Sequence, residues 1–276
     1  MSPLPPGRRR PVPAAGASVW TAAALSPADW MLPLGADVAA EIEVALGAIA
    51  AAAPEPPIPH CAALLAALRD RLRIGPGFAL LRGLAPEGAP GGAEALLALL
   101  ARQLGTPAAP PEPYLGEEAP GFHDEEASIL ALLCLRQGAE GQAAVLASAG
   151  ALHNALMLRE RALLGELYSA LPLVRGEELT ARAVFAVEDA GLVGRFSPAA
   201  IEAAAAPPHH ATITGRQRAA VALLARLAAD PEFALRLEMR PGDLLCLDPR
   251  RVWLRRRAPA MHGPADFLML RLGNAA

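Results

Sequence analysis

From residue 128 onward the chain is cut into short apolar runs bounded by glycine, proline or charged residues: 128–135, 143–148, 182–187, 191–196, 243–247, 251–255 and 266–272. Runs of this length are too short for ordinary globular helices and suit strands buried in a core. Some are joined by links as short as residues 188–190, which fit antiparallel neighbours and leave no room for a parallel crossover helix. Helical patterns interrupt them at 151–171 and 215–229, the second opened by Thr214 and Gln217 at capping-box spacing. Many strands with few helices predict an α+β fold, a β-sandwich or, preferably, a jelly roll with flanking α-helices.

The first half is patterned differently. Ser26-Pro27-Ala28-Asp29 reads as a helix start, with a cap, a proline at the first helical position and an early acid. Alanine-rich helical stretches follow at 36–52 and 61–74, the latter carrying Leu64, Leu65, Leu68 and Leu72 at helical spacing. After Gly75-Pro76-Gly77, residues 78–83 read as a strand, and a helix over 93–104 ends at Gly105. Residues 106–121 are rich in proline and glycine and read as loop. Residues 1–16 have no periodicity and are expected to be disordered, leaving 17–276 as a single domain.

Composition removes several classes of function. The 276 residues carry 28 acids and 25 basic residues, all of them arginine, with clusters only at Arg8–Arg10 and Arg255–Arg257. A chain with no basic stripe is not a general nucleic-acid binder. Residues 143–158 form the best uncharged stretch, interrupted by Gly150, His153 and Asn154, against the about 20 apolar residues of a membrane span. The arginine triplet at 8–10 is followed by no apolar h-region, so no secretory signal is expected. Cys61, Cys134 and Cys246 have no CxxC spacing, and the last two sit in apolar runs, which suggests a reducing, cytoplasmic location.

No nucleophile elbow, phosphate loop, dinucleotide fingerprint or HExxH is present. His123 and Glu125, just ahead of the run 128–135, are two residues apart, a spacing that puts both side chains on one face of an extended chain. They suit a His-x-Glu metal half-site, to be completed by a second histidine, although a solvated turn is the commoner fate of such a cluster. His209-His210 follows Pro207-Pro208 and reads as an exposed loop, and His153-Asn154 as a polar helix start. Arg271 lies in the last apolar run and needs either a structural carboxylate or a bound anion.

Taken in order, these pieces resemble the TauD/TfdA-like Fe(II)/2-oxoglutarate-dependent oxygenases, in particular the clavaminate synthase and γ-butyrobetaine hydroxylase branch. The resemblance runs from about Trp20 to Leu272 through residues 78–84 (FALLRGL), Leu104-Gly105-Thr106-Pro107, Phe122-His123 with 133–136 (LCLR), His153-Asn154, 182–196 and Pro241-Gly242-Asp243-Leu244. It implies a double-stranded β-helix core with His123 and Glu125 as iron ligands and Arg271 as the anchor of 2-oxoglutarate.

The same resemblance exposes departures. The family's distal histidine falls at Leu254, which cannot bind metal, and Ala144 stands where a hydroxyl residue commonly contacts the co-substrate. The segment between Pro107 and His123 is shorter than the family's substrate-binding lid. His262, Asp248, His209 and His210 are the substitute ligands that remain. Two functions follow from the resemblance. One is an oxygenase using Fe(II) and 2-oxoglutarate on an unknown small molecule with an incomplete triad. The other is an inactive oxygenase-fold protein without cofactor, serving a protein partner, a homo-oligomer or a scaffold.

Overall fold

The computed structural model describes residues 11–89, 91–114, 122, 127–136, 143–188, 191–255 and 266–273. The first half supplies α1 (Pro27–Trp30), β1 (Met31–Pro33), α2 (Ala36–Ala50), α3 (Pro59–Arg73), β2 (Phe78–Arg82) and α4 (Gly92–Leu104). Next come β3 (Thr106–Pro107), β4 (Glu112–Tyr114), β5 (Ile129–Cys134), β6 (Ala144–Ser148), α5 (Ala149–Arg159) and α6 (Arg161–Glu166). Two hairpins follow, β7 (Leu171–Arg175) with β8 (Glu178–Arg182), and β9 (Phe185–Glu188) with β10 (Gly191–Gly194). The chain then forms α7 (Pro198–Ala205), α8 (Gly215–Ala229), β11 (Leu235–Leu237), β12 (Leu244–Leu247), β13 (Val252–Arg255) and β14 (Phe267–Gly273).

Two sheets face each other. The larger runs β1-β2-β12-β5-β14-β3, with β4 also on β14, and the smaller runs β11-β6-β13. All pairings are antiparallel except β1 with β2. The period-two alternation of a strand sorts the side chains into layers. Along β12, Leu244 and Cys246 join the core under α2–α4, while Leu245 and Leu247 turn inward between the sheets. On β5, Ala131 and Leu133 face those helices, and Leu130, Leu132 and Cys134 face inward. On the smaller sheet Val145, Ala147 and Trp253 pack outward against the α5–α8 side, while Ala144, Leu146, Val252 and Leu254 meet the inner layer. Strands buried on both faces explain why these runs are continuously apolar rather than alternating. This is a double-stranded β-helix, or jelly roll, with helices on both outer faces, an α+β fold as expected.

The differences from the sequence reading have local causes. The helix expected over 151–171 starts at Ala149 and breaks at Glu160, whose φ of −146° is not helical, and Leu171 already opens β7. The expected strand 182–187 splits, because Arg182 closes β8 and β9 begins at Phe185. The Pro-rich segment 106–121 contains β3 and β4, edge strands where proline is tolerated. Residues 11–16, expected to be disordered, lie docked on α5, where Asn154 Oδ1 accepts from the Ala14 N–H at 2.8 Å and its Nδ2 donates back to the Ala14 carbonyl at 2.9 Å. Among the described residues no helix is long and apolar enough to cross a membrane.

One turn is fixed by two devices. Asp243, 1% exposed, accepts from Arg82 Nε at 2.9 Å and Nη2 at 2.7 Å, and from the Arg240 N–H at 2.9 Å. Beside it Gly242 has φ +83°, and a Cβ there would overlap the Leu84 carbonyl oxygen. The Pro-Gly-Asp signal thus ties the start of β12 to the end of β2.

Candidate functional site

The family resemblance puts the site between the two sheets, at β13, β6 and β14. Leu254 is 1% exposed on β13, opposite Leu146 of β6. Both belong to an apolar layer with Ala144, Leu132, Leu245 and Met269. The layer forms because the inward positions of β6 and β13 at this point, Ala144, Leu146, Val252 and Leu254, are all aliphatic, so the facing sheets close on one another. A metal ion wants oxygen, nitrogen or sulfur donors at a shared point. Leu254 offers a branched hydrocarbon and Ala144 a methyl group. Among the described residues no group of three or more His, Cys, Asp or Glu side chains is placed to hold a metal ion. His123 and Glu125 lie outside the described residues, as does His262. The residue ahead of His123 is described: Phe122 is 4% exposed, with the Arg255 guanidinium 5.1 Å over its ring. Position 122 therefore sits against the end of β13, one residue beyond Leu254. Of the positions the resemblance assigns to the centre, the described ones on β13 and β6, Leu254 and Ala144, offer no metal donor.

Arg271 follows Phe267 and Met269 in the strand alternation that faces inward, opposite Leu130 of β5. Its guanidinium makes an ion pair with Glu112 of β4. Sequence reading left open whether a structural carboxylate or a bound anion answers Arg271, and the chain supplies a carboxylate itself. Glu112 was missed because it lies in the segment read as loop, 159 residues away in sequence.

The described substitute ligands, Asp248, His209 and His210, do not gather there either. Asp248 accepts from Arg250 Nε and Nη2, each at 3.0 Å, and lies 3.6 Å from Arg251 Nε. It is a turn-forming carboxylate between β12 and β13. His209 and His210 fall in the α7–α8 connection, His210 exposed with φ 49°. His153, read as a polar helix start, is instead fully buried inside α5. Its Nε2 lies 2.8 Å from the Tyr168 hydroxyl and its Nδ1 3.2 Å from Asn154 Oδ1, with the Phe185 ring edge-on. Burial, only partly opposed by the Asn154 contact, pushes its pKa below the usual imidazole value. Cys61, Cys134 and Cys246 are buried thiols, and burial pushes the Cys246 thiol up to about 12. Such a thiol is a core group, not a nucleophile.

Strand order and layering define a double-stranded β-helix of the kind that non-haem iron oxygenases share. The model of the taurine catabolism dioxygenase TauD, TfdA family matches residues 44–272, and the chain belongs to that family. Among solved structures it is similar to an asparagine oxygenase in complex with Fe(II), 2S,3S-3-hydroxyasparagine and succinate, at 18% identity over 89% of this chain and 93% of that one, with a TM-score of 0.65. The non-heme iron oxygenase OrfP in complex with Fe aligns at 15% identity, 89% and 93% coverage and TM-score 0.59. PvcB from Pseudomonas aeruginosa aligns at 19% identity, 78% and 80% coverage and TM-score 0.55. No curated protein sequence matches.

Proposed function

We propose that this chain is a TauD/TfdA-family protein that no longer assembles the iron and 2-oxoglutarate centre and works by binding rather than by oxygen activation. The observation that carries the reading is Leu254, packed opposite Leu146 at the distal-ligand position. Ala144 in the same layer and the Arg271–Glu112 ion pair support it. In the complexed asparagine oxygenase, iron, a hydroxylated amino acid and succinate are bound. Here Leu254 and Ala144 make hydrocarbon contacts and Arg271 makes an internal ion pair, at the positions the family resemblance gives to the distal ligand, a co-substrate contact and the 2-oxoglutarate anchor.

A second reading keeps the oxygenase, with Fe(II) held by His123, Glu125 and an unconventional third group, 2-oxoglutarate on Arg271 and a small molecule as substrate. Phe122, the residue ahead of His123, favours it, because it packs under Arg255 at the end of β13. Anaerobic titration of the full chain with Fe(II) and 2-oxoglutarate separates the two. The binding reading expects no visible metal-to-ligand charge-transfer band and no retained iron. A band that disappears in His123→Ala and Arg271→Ala establishes the oxygenase. The three buried thiols support a reducing, cytoplasmic setting in either case.

A further inference from the structure

Outside the β-helix, the segment 11–20 crosses the start of α5 and closes a cleft that the family site does not use. Beyond the Asn154 clamp on Ala14, Ser148 Oγ donates to the Ser18 carbonyl at 2.5 Å, and Trp20 Nε1 donates to the Pro76 carbonyl at 2.8 Å. Between this strap, the end of α3, the first turn of α5, Tyr168 and the β9–β10 hairpin lies a cleft of about 450 Å³. That volume lies in the range of small-ligand sites, roughly 300–1,000 Å³.

Two properties of its lining go together. Val12, Ile74 and Val187 edge the cleft while 67%, 70% and 57% exposed, so large apolar side chains left in water are gathered at one place. Exposed apolar groups scattered singly need no explanation, but several around one concavity mark a contact surface. Second, among the described lining residues the charged ones are Arg73 and Arg251. Arg251 is held in place: its Nη1 donates to the Arg73 carbonyl at 2.6 Å, and its Nε lies 3.6 Å from Asp248, a carboxylate it shares with Arg250. Ala149 and Gly150, the first residues of α5, also line the cleft and add the partial positive charge of a helix N-terminus.

We propose that this cleft binds a small amphipathic monoanion, a carboxylate carrying an apolar chain. The arginines and the helix start would take the carboxylate, and Val12, Ile74, Val187 and Leu192 the chain. One ordered arginine with one exposed neighbour matches a single carboxylate better than a polyphosphate. The proposal goes beyond the binding reading above and stands whether or not the β-helix interior holds iron.

The probe is octanoate, titrated calorimetrically into the full chain, with octan-1-ol and octyltrimethylammonium as neutral and cationic counterparts. Octanoate is expected to bind with a submillimolar Kd, and each counterpart at least about tenfold more weakly. Val187→Glu, at an exposed rim position, and Arg251→Gln are each expected to weaken octanoate at least about tenfold with an unchanged circular dichroism spectrum. Arg102→Gln, on a surface pair with Glu55, is expected to change nothing. Excess 2-oxoglutarate is expected not to compete. Equal binding of octan-1-ol, competition by 2-oxoglutarate, no loss in Val187→Glu, or no octanoate binding up to about 10 mM would each overturn the proposal.

Discussion

Leu254 and Leu146 stand opposite one another on β13 and β6, both buried in the layer that separates the two sheets. A histidine at 254 would put an imidazole where the structure keeps hydrocarbon. Leu254→His is expected to lower stability by about 2–5 kcal/mol in urea unfolding, from lost packing and an unpaired polar ring. If 254 is the distal-ligand position, the variant also gains Fe(II) affinity, read as a rise in Tm on adding the metal anaerobically. A variant whose Tm ignores Fe(II) would show that the position has been misassigned.

The Arg82–Asp243 pair is a structural bond with one buried end. Asp243 is 1% exposed and accepts from Arg82 and the Arg240 backbone, whereas the Arg82 side chain is 28% exposed. Removing the arginine strands a buried carboxylate, so Arg82→Ala is expected to cost about 3–5 kcal/mol in urea unfolding. Asp243→Asn keeps the acceptor for the Arg240 N–H and is expected to cost less. A loss below about 1 kcal/mol in Arg82→Ala would show the pair to be no stronger than an ordinary surface contact.

The layering was legible in the sequence because both faces of β5, β12 and β14 are buried, which turns each strand into a short continuous apolar word bounded by breakers. The Pro-Gly-Asp turn was legible only through the family resemblance. What was not legible depends on distance. Glu112 reaches Arg271 across 159 residues from a proline-rich stretch whose local pattern says loop. His153 was misread because a histidine beside an asparagine looks polar, and only the packing of Tyr168 and Phe185 around it shows burial. Leu254 is the opposite case. Its identity alone announced the departure from the family, and the structure adds that its surroundings are apolar too.

His153 gives stability a pH dependence whose sign can be worked out. Burial lowers its pKa in the folded state below the 6.5 of the free group. The unfolded chain therefore binds more protons as pH falls below 6.5, and this contribution is present above that value and fades as pH drops towards the folded pKa. His60 acts in the other direction, because its contact with Glu41 raises its pKa, so its contribution is present below 6.5 and lost as pH rises through the raised value. His153→Gln is expected to flatten the loss of stability as pH falls below 6.5, seen in urea midpoints. An unchanged slope in this variant would assign the acid loss to other groups.

Glu112 occupies the guanidinium that the family resemblance gives to a dicarboxylate. The pair is half-exposed, 34% at Arg271 and 52% at Glu112, so its removal should cost little, about 0–1 kcal/mol. The larger effect is expected in ligand binding. Without the Glu112 carboxylate Arg271 keeps its place on β14, and an external anion has one tethered competitor fewer. Glu112→Ala is therefore expected to bind succinate several-fold more tightly than the parent chain, with Tm within a few degrees of it. Succinate is a suitable probe because it presents a carboxylate without needing iron chelation. Equal, weak binding by both chains would mean that Arg271 is committed to the fold and that the anion site of the family is closed here for reasons other than Glu112.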